Sequence, residues 1–171
     1  MQAKTRRRSP GLALLTLLAL MSVNAWGQWL GPDPDWKESE ALPPPVFRTD
    51  RLVLVDMPPH VTLAFGVDPG SLIIGSDGVV RYVMVATSVS GSVSAMYEGI
   101  RCATGQVKSY ARYSTASQWT VVSDPIWSAL NGSQPSKHAL ALAKQGLCRE
   151  GSSGSTPEEI VRRLKSAVTT R

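Results

Sequence analysis

The stretch Tyr97-Glu98-Gly99-Ile100-Arg101-Cys102 sets a carboxylate, a guanidinium and a thiol close together on a β-prone run. In an extended strand Glu98, Ile100 and Cys102 share one face, and Tyr97, Gly99 and Arg101 share the other. One chemistry such a set can do is acid–base work by Glu98. Another is recognition, with Glu98 and Arg101 acting as a binding pair in a groove. The structural alternative is an ion pair that braces a sheet beside a disulfide. A carboxylate under a covering helix needs a partner, because burial without one is costly or forces it neutral. Arg81 and Arg101 are the cations the sequence offers. Gly99 in mid-strand predicts a bulge or a close approach by another segment.

Little else completes a reaction centre. His60 follows two prolines in a loop, and His138 lies early in a predicted helix; neither stands in a motif. H-E-x-x-H, G-x-S-x-G, G-x-G-x-x-G and the phosphate-binding G-x-x-x-x-G-K-[ST] do not occur. A structural zinc site takes four ligands, whereas the chain offers two Cys and two His. Bracing is therefore the favoured reading, with no catalytic residue, metal or cofactor assigned. The binding patch worth testing is Arg81, Tyr97, Glu98, Arg101 and Trp119. Aromatics such as Tyr97 and Trp119 can stack on sugars, although they more often fill a core.

The two cysteines, Cys102 and Cys148, have a compartment to explain them. Lys4, Arg6, Arg7 and Arg8 precede the apolar run Gly11–Val23, and Ala25-Trp26-Gly27 has the small residues of a cleavage site. This pattern predicts a signal peptide over residues 1–27 and a periplasmic location, with an apolar run too short to span a bilayer. An oxidising compartment makes a Cys102–Cys148 disulfide the expected pairing. Removing the signal also removes the charge. The chain has 18 basic and 13 acidic side chains; four of the basic ones lie in residues 1–27, leaving 14 against 13, or +1. A nucleic-acid surface needs clustered Lys and Arg, so no nucleic-acid partner is expected. No later apolar run is long enough to cross a membrane.

The elements that would position these residues follow from pattern. Residues 28–50 form a Pro-rich arm, since Pro32, Pro34 and Pro43-Pro44-Pro45 deny it regular structure. Residues 51–148 read as the main domain. Short β-prone runs at 51–55 and 61–67 lead to a hairpin over 71–87, with its turn at Gly75-Ser76-Asp77-Gly78. Val79–Thr87 is apolar on both faces, which predicts cover on both sides. Strands over 94–102 and 106–113 follow, the second half-exposed, with a short one at 119–122. A helix is predicted over Ser133–Cys148, with Ala139, Leu142, Ala143 and Leu147 buried. Residues 149–171 read as a linker and an amphipathic helix capped by Thr156, with an apolar stripe of Ile160, Val161, Leu164, Ala167 and Val168. The fold class is α+β: a mainly antiparallel sheet of about five or six strands, one disulfide-tethered helix and a separate C-terminal helix.

Four features carry a resemblance. They are W-K-E-x-E-x-x-L-P-P-P from Trp36, S-D-G-V-V-R-Y from Ser76, Y-E-G-I-R-C from Tyr97, and the late helix that ends at Cys148. Together they resemble the CNP-one-like family of small exported bacterial proteins, from about Trp36 to Cys148. The resemblance implies an envelope location and transfers no activity and no site. The expected function is non-enzymatic: binding or scaffolding an envelope partner through the Pro-rich arm or the C-terminal helix. The alternatives are an envelope hydrolase or transferase using Glu98, and a small-ligand or glycan module. The oligomeric state is not readable from the sequence.

Overall fold

Alternating apolar residues drive the middle of the chain into one antiparallel sheet. The computed structural model describes residues 33–114, 116, 118–133, 137–149 and 156–169. The predicted signal peptide, the start of the arm and residues 150–155 of the linker lie outside them. The strands are β1 (Val53–Val55), β2 (Ala64–Val67), β3 (Ile73–Ile74), β4 (Val79–Thr87), β5 (Val93–Arg101), β6 (Gln106–Tyr113), β7 (Trp119–Val121) and β8 (Ser128–Ala129). Six run in the order β1-β2-β4-β5-β6-β7; β3 adds to β4 and β8 adds to β6. The helices are α1 (His138–Leu142) and α2 (Pro157–Thr169). The class is α+β, as the patterning predicts.

β4 is buried at its first eight positions, which fits cover on both faces. Its Val80, Tyr82 and Met84 face the helices. There they join Ile100, Leu142, Leu147, Ile160 and Leu164 in the larger core. Its Val83 and Val85 face the other way, into a smaller core with Ala95, Tyr97, Tyr110 and Ala111. Ala41, Phe47 and Leu52 pack against that second core. The sheet therefore has a helix face and an arm face.

Two local departures shape the site. First, the β5–β6 register pairs Glu98 with Ser109 but Tyr97 with Ala111, so Tyr110 is an extra residue in β6. Such a bulge breaks the period of two. The sequence sets Tyr110 and Ala111 on opposite faces, whereas both enter the arm-face core. Gly99 permits this: a Cβ there would lie 2.8 Å from the Tyr110 hydroxyl and 2.8 Å from Val79 Cγ1. Second, the late helix is not continuous. α1 gives way to a wider turn over Ala143–Leu147, and Gly146 has φ of 130°, a region that favours glycine. The expected stripe of Ala139, Leu142, Ala143 and Leu147 is buried.

Cys102 and Cys148 form the disulfide, with Cα atoms 5.5 Å apart. It ties the end of the helical segment to the end of β5. α2 starts as predicted: Thr156 Oγ1 accepts from the Glu159 amide at 3.3 Å. Its buried stripe is narrower than predicted. Ile160 and Leu164 are fully buried, while Val168 is exposed. Arg163 Nε donates to the Gly146 carbonyl at 2.9 Å, so α2 also binds the wide turn. Among the described residues, no helix is long and apolar enough to cross a membrane.

Candidate functional site

The two faces hold different polar clusters. On the helix face the cluster centres on Glu98, which is 3% exposed. Strand pairing sets Tyr82 and Ser109 directly across from it on either side. The Tyr82 hydroxyl donates to Glu98 Oε2 at 3.0 Å, and the Ser109 hydroxyl donates to Oε1 at 3.0 Å. α1 begins with His138, whose Nε2 lies 2.8 Å from Glu98 Oε2. Phe65 of β2 stacks on the imidazole, with centroids 5.1 Å apart and planes at 9°. Burial pushes the Glu98 carboxyl up, but the bonds from His138, Ser109 and Tyr82 outweigh it and hold the group below the ordinary 4.5. Burial and the neighbouring Glu98 push the Tyr82 phenol well up.

This arrangement suits bracing better than chemistry. A serine nucleophile needs a base within hydrogen-bond reach of its hydroxyl. Here the serine donates to the carboxylate, and the histidine meets the same carboxylate from the other side. A carboxyl held ionised is also a poor proton donor at neutral pH. A small cavity of about 230 Å³ reaches Glu98 and Ser109, with Arg112, Asp124 and Ile126 among its other lining residues.

On the arm face the cluster centres on two acids. Asp77, in the β3–β4 turn, accepts from Arg81 Nη2 at 2.8 Å and from the Ser39 amide at 2.8 Å. Glu38 of the arm accepts from Lys108 Nζ at 2.7 Å, the Tyr110 hydroxyl at 2.7 Å and Trp127 Nε1 at 3.1 Å. Arg81 Nη2 also stands 3.8 Å from Glu38 Oε1. Burial pushes Glu38 and Asp77 up, and their bonds more than offset it, so both carboxyls sit below their ordinary values. Trp36 donates from Nε1 to the Asp77 carbonyl at 2.8 Å and meets Trp127 edge-on at 6.0 Å. The Arg101 guanidinium lies 3.7 Å from the centre of a Trp36 ring, a cation–π contact. These residues strap the arm to the sheet.

Farther along the arm, Phe47, Tyr113 and Trp119 meet edge to face, with centroids 5.1 to 5.8 Å apart. They line an open groove of about 700 Å³ with Val46, Val93 and Ser114. Val46 is 94% exposed.

The five patch residues thus fall into three places. Arg81, Tyr97 and Arg101 lie together on the arm face. Glu98 lies on the helix face and pairs with neither arginine. Trp119 stands apart in the aromatic groove. The sequence reading missed His138, Tyr82 and Ser109 as partners of Glu98, and missed Glu38 of the arm with Asp77, Lys108, Tyr110 and Trp127 beneath it. A signal for the second group was present. Trp36 and Glu38 stand in one conspicuous motif and Asp77 and Arg81 in another, and the fold brings the two motifs into contact. Among the described residues, no group of three or more His, Cys, Asp or Glu is placed to hold a metal ion.

A family model, described as the CNP1-like family, matches residues 32–165. The span covers the arm from residue 32, the whole sheet, α1 and most of α2, including part of the tail that the resemblance left out. No curated protein matches the chain, and no solved structure does. The chain belongs to the CNP1-like family.

Proposed function

We propose that this CNP1-like protein is exported to the periplasm and works by binding or scaffolding an envelope partner, with the end of the Pro-rich arm as its contact surface. The observation that carries this reading is the state of Glu98. Its carboxylate is filled by Tyr82, Ser109 and His138, which supports a bracing role over a catalytic one. An accessible apolar surface lies elsewhere, at Val46 beside the groove of Phe47, Tyr113 and Trp119. Aromatic anchors in a concave surface are the usual core of a recognition site. The N-terminal pattern of the sequence supports export, and the disulfide fits an oxidising compartment.

A second reading gives the same groove a sugar, because Trp119 and Tyr113 offer ring surface and Ser114 a hydroxyl. A tryptophan-fluorescence titration against a glycan panel separates the two; a flat signal across the panel removes the sugar. Cross-linking in intact cells, followed by mass spectrometry, tests the main reading. Reproducible adducts from residues of the arm to one envelope protein are expected. Recovery of the monomer alone, from cells in which the chain is exported, would overturn it.

A further inference from the structure

The arm is held in an unusual way. From Trp36 to Ser39 it forms no strand of the sheet. Each contact described above uses at least one side chain: Trp36 on Asp77 and Arg101, Glu38 on Lys108, Tyr110 and Trp127, and the Ser39 amide on Asp77. Arg81 Nη2 adds a bond to the Ser39 carbonyl at 3.0 Å. A segment attached this way resembles a bound peptide more than a structural element. Its receptor is built on three adjacent strands, with Arg81 from β4, Arg101 from β5 and Lys108 from β6. Charge is complementary: Arg81 and Lys108 meet the arm carboxylate of Glu38, Arg81 also pairs with the turn carboxylate of Asp77, and Arg101 lies on the Trp36 ring.

The fit is incomplete. Arg81 is 4% exposed and Tyr97 is 1% exposed. Arg81 Nε and the Tyr97 hydroxyl are both buried without a hydrogen-bond partner. Native proteins leave few buried donors unfilled, and each one asks for an explanation. Tyr97 packs against Tyr110, with ring centroids 5.4 Å apart and planes tilted by 44°, and Tyr110 itself binds Glu38, so the two tyrosines share one neighbourhood.

We infer that the arm face carries a carboxylate-recognition site, occupied in cis by Glu38, which in trans takes an acidic peptide bearing a tryptophan two positions before a glutamate. Arg101 and Trp127 receive the indole. Lys108, Tyr110 and Arg81 receive the carboxylate, and the two unfilled donors favour a ligand with a further acceptor. The arm is then a competitor tethered at high effective concentration. Its displacement frees the site. This site uses other residues than the Trp119 groove and stands or falls separately from it.

The test uses the whole protein with the arm released by Trp36→Ala and Glu38→Ala, titrated with a synthetic peptide of residues 33–42. The readout is the indole N–H resonance of Trp127. Saturable binding to the variant is expected, weaker binding to the unaltered protein, and about a tenfold loss when the peptide carries Glu38→Gln, the scale of one charge-assisted bond. A folded variant that leaves the Trp127 resonance unmoved at millimolar peptide would overturn the inference. So would equal binding of the two peptides. If the double variant does not fold, the same titration on the single variant Glu38→Gln decides by the same outcomes.

Discussion

The two faces of one sheet are closed by different physics. The helix face is closed by an apolar core, a covalent tether at Cys102–Cys148 and one buried carboxylate with three internal partners. The arm face is closed by a segment without regular structure, held through ion pairs, indole contacts and side-chain hydrogen bonds. β5 serves both, with Glu98 pointing to one and Tyr97 and Arg101 to the other. The lesson is that a carboxylate and a guanidinium three residues apart are not a pair unless the strand's alternation lets them meet. A polar group sealed under a core and a disulfide is structural. A polar group under a peptide-like strap can be uncovered.

The contrast can be broken most forcefully on the helix face. Replacing both Cys102 and Cys148 by Ser should cost about 4 kcal/mol by the chain-entropy argument, for a sequence separation of 46. Urea unfolding of the two forms measures it; a loss near zero would mean that the core alone holds the helices. Glu98→Ala should come next, at roughly 3 kcal/mol, because it strands the Tyr82, Ser109 and His138 groups in a buried site. Gly99→Ala should cost roughly 2 kcal/mol, since the new Cβ overpacks against Tyr110 and Val79. Glu38→Ala on the arm face should cost only about 1 kcal/mol, since its side chain is 20% exposed and water can enter the space it leaves. If Glu38→Ala were as damaging as Glu98→Ala, the two faces would not differ as described.

Acid sharpens the same comparison without a mutation. Glu98, Glu38 and Asp77 are all held below their ordinary values in the folded state. A depressed folded value means that the stabilisation is present above the unfolded value and is lost as pH falls through the folded one. Melting temperature should therefore be insensitive to these groups at neutral pH. It should fall as pH drops below about 4, where unfolded carboxylates take up protons first. Glu98→Gln should flatten that fall; an unchanged acid profile would show that Glu98 is not part of it.

Much of this was legible in the chain. The alternation in Tyr97–Cys102 assigns each residue to its observed face, and the count of two cysteines in an exported-looking chain points to their bond. The glycines at 75 and 78 mark the β3–β4 turn, and Thr156-Pro157 marks the start of α2. The missing pieces are nonlocal. Glu98 meets His138 only because α1 lies across β5, 40 residues later in sequence. The bulge at Tyr110 follows from a register shift that propensity does not encode, although Gly99 hinted at it. The wide turn after α1 holds Gly146 at a positive φ, a kink that the apolar stripe does not encode. The strap was hidden because Glu38 and its hydrogen-bond partners are 70 or more residues apart.

The central claim is that the arm face works and the helix face supports. Photo-cross-linking amino acids placed in separate cells at Val46, on the arm, and at Val168, at the exposed end of α2, test it most directly. The account predicts adducts with one envelope protein from position 46 and none from position 168. Adducts from position 168 alone would contradict it and move the contact surface to the helices.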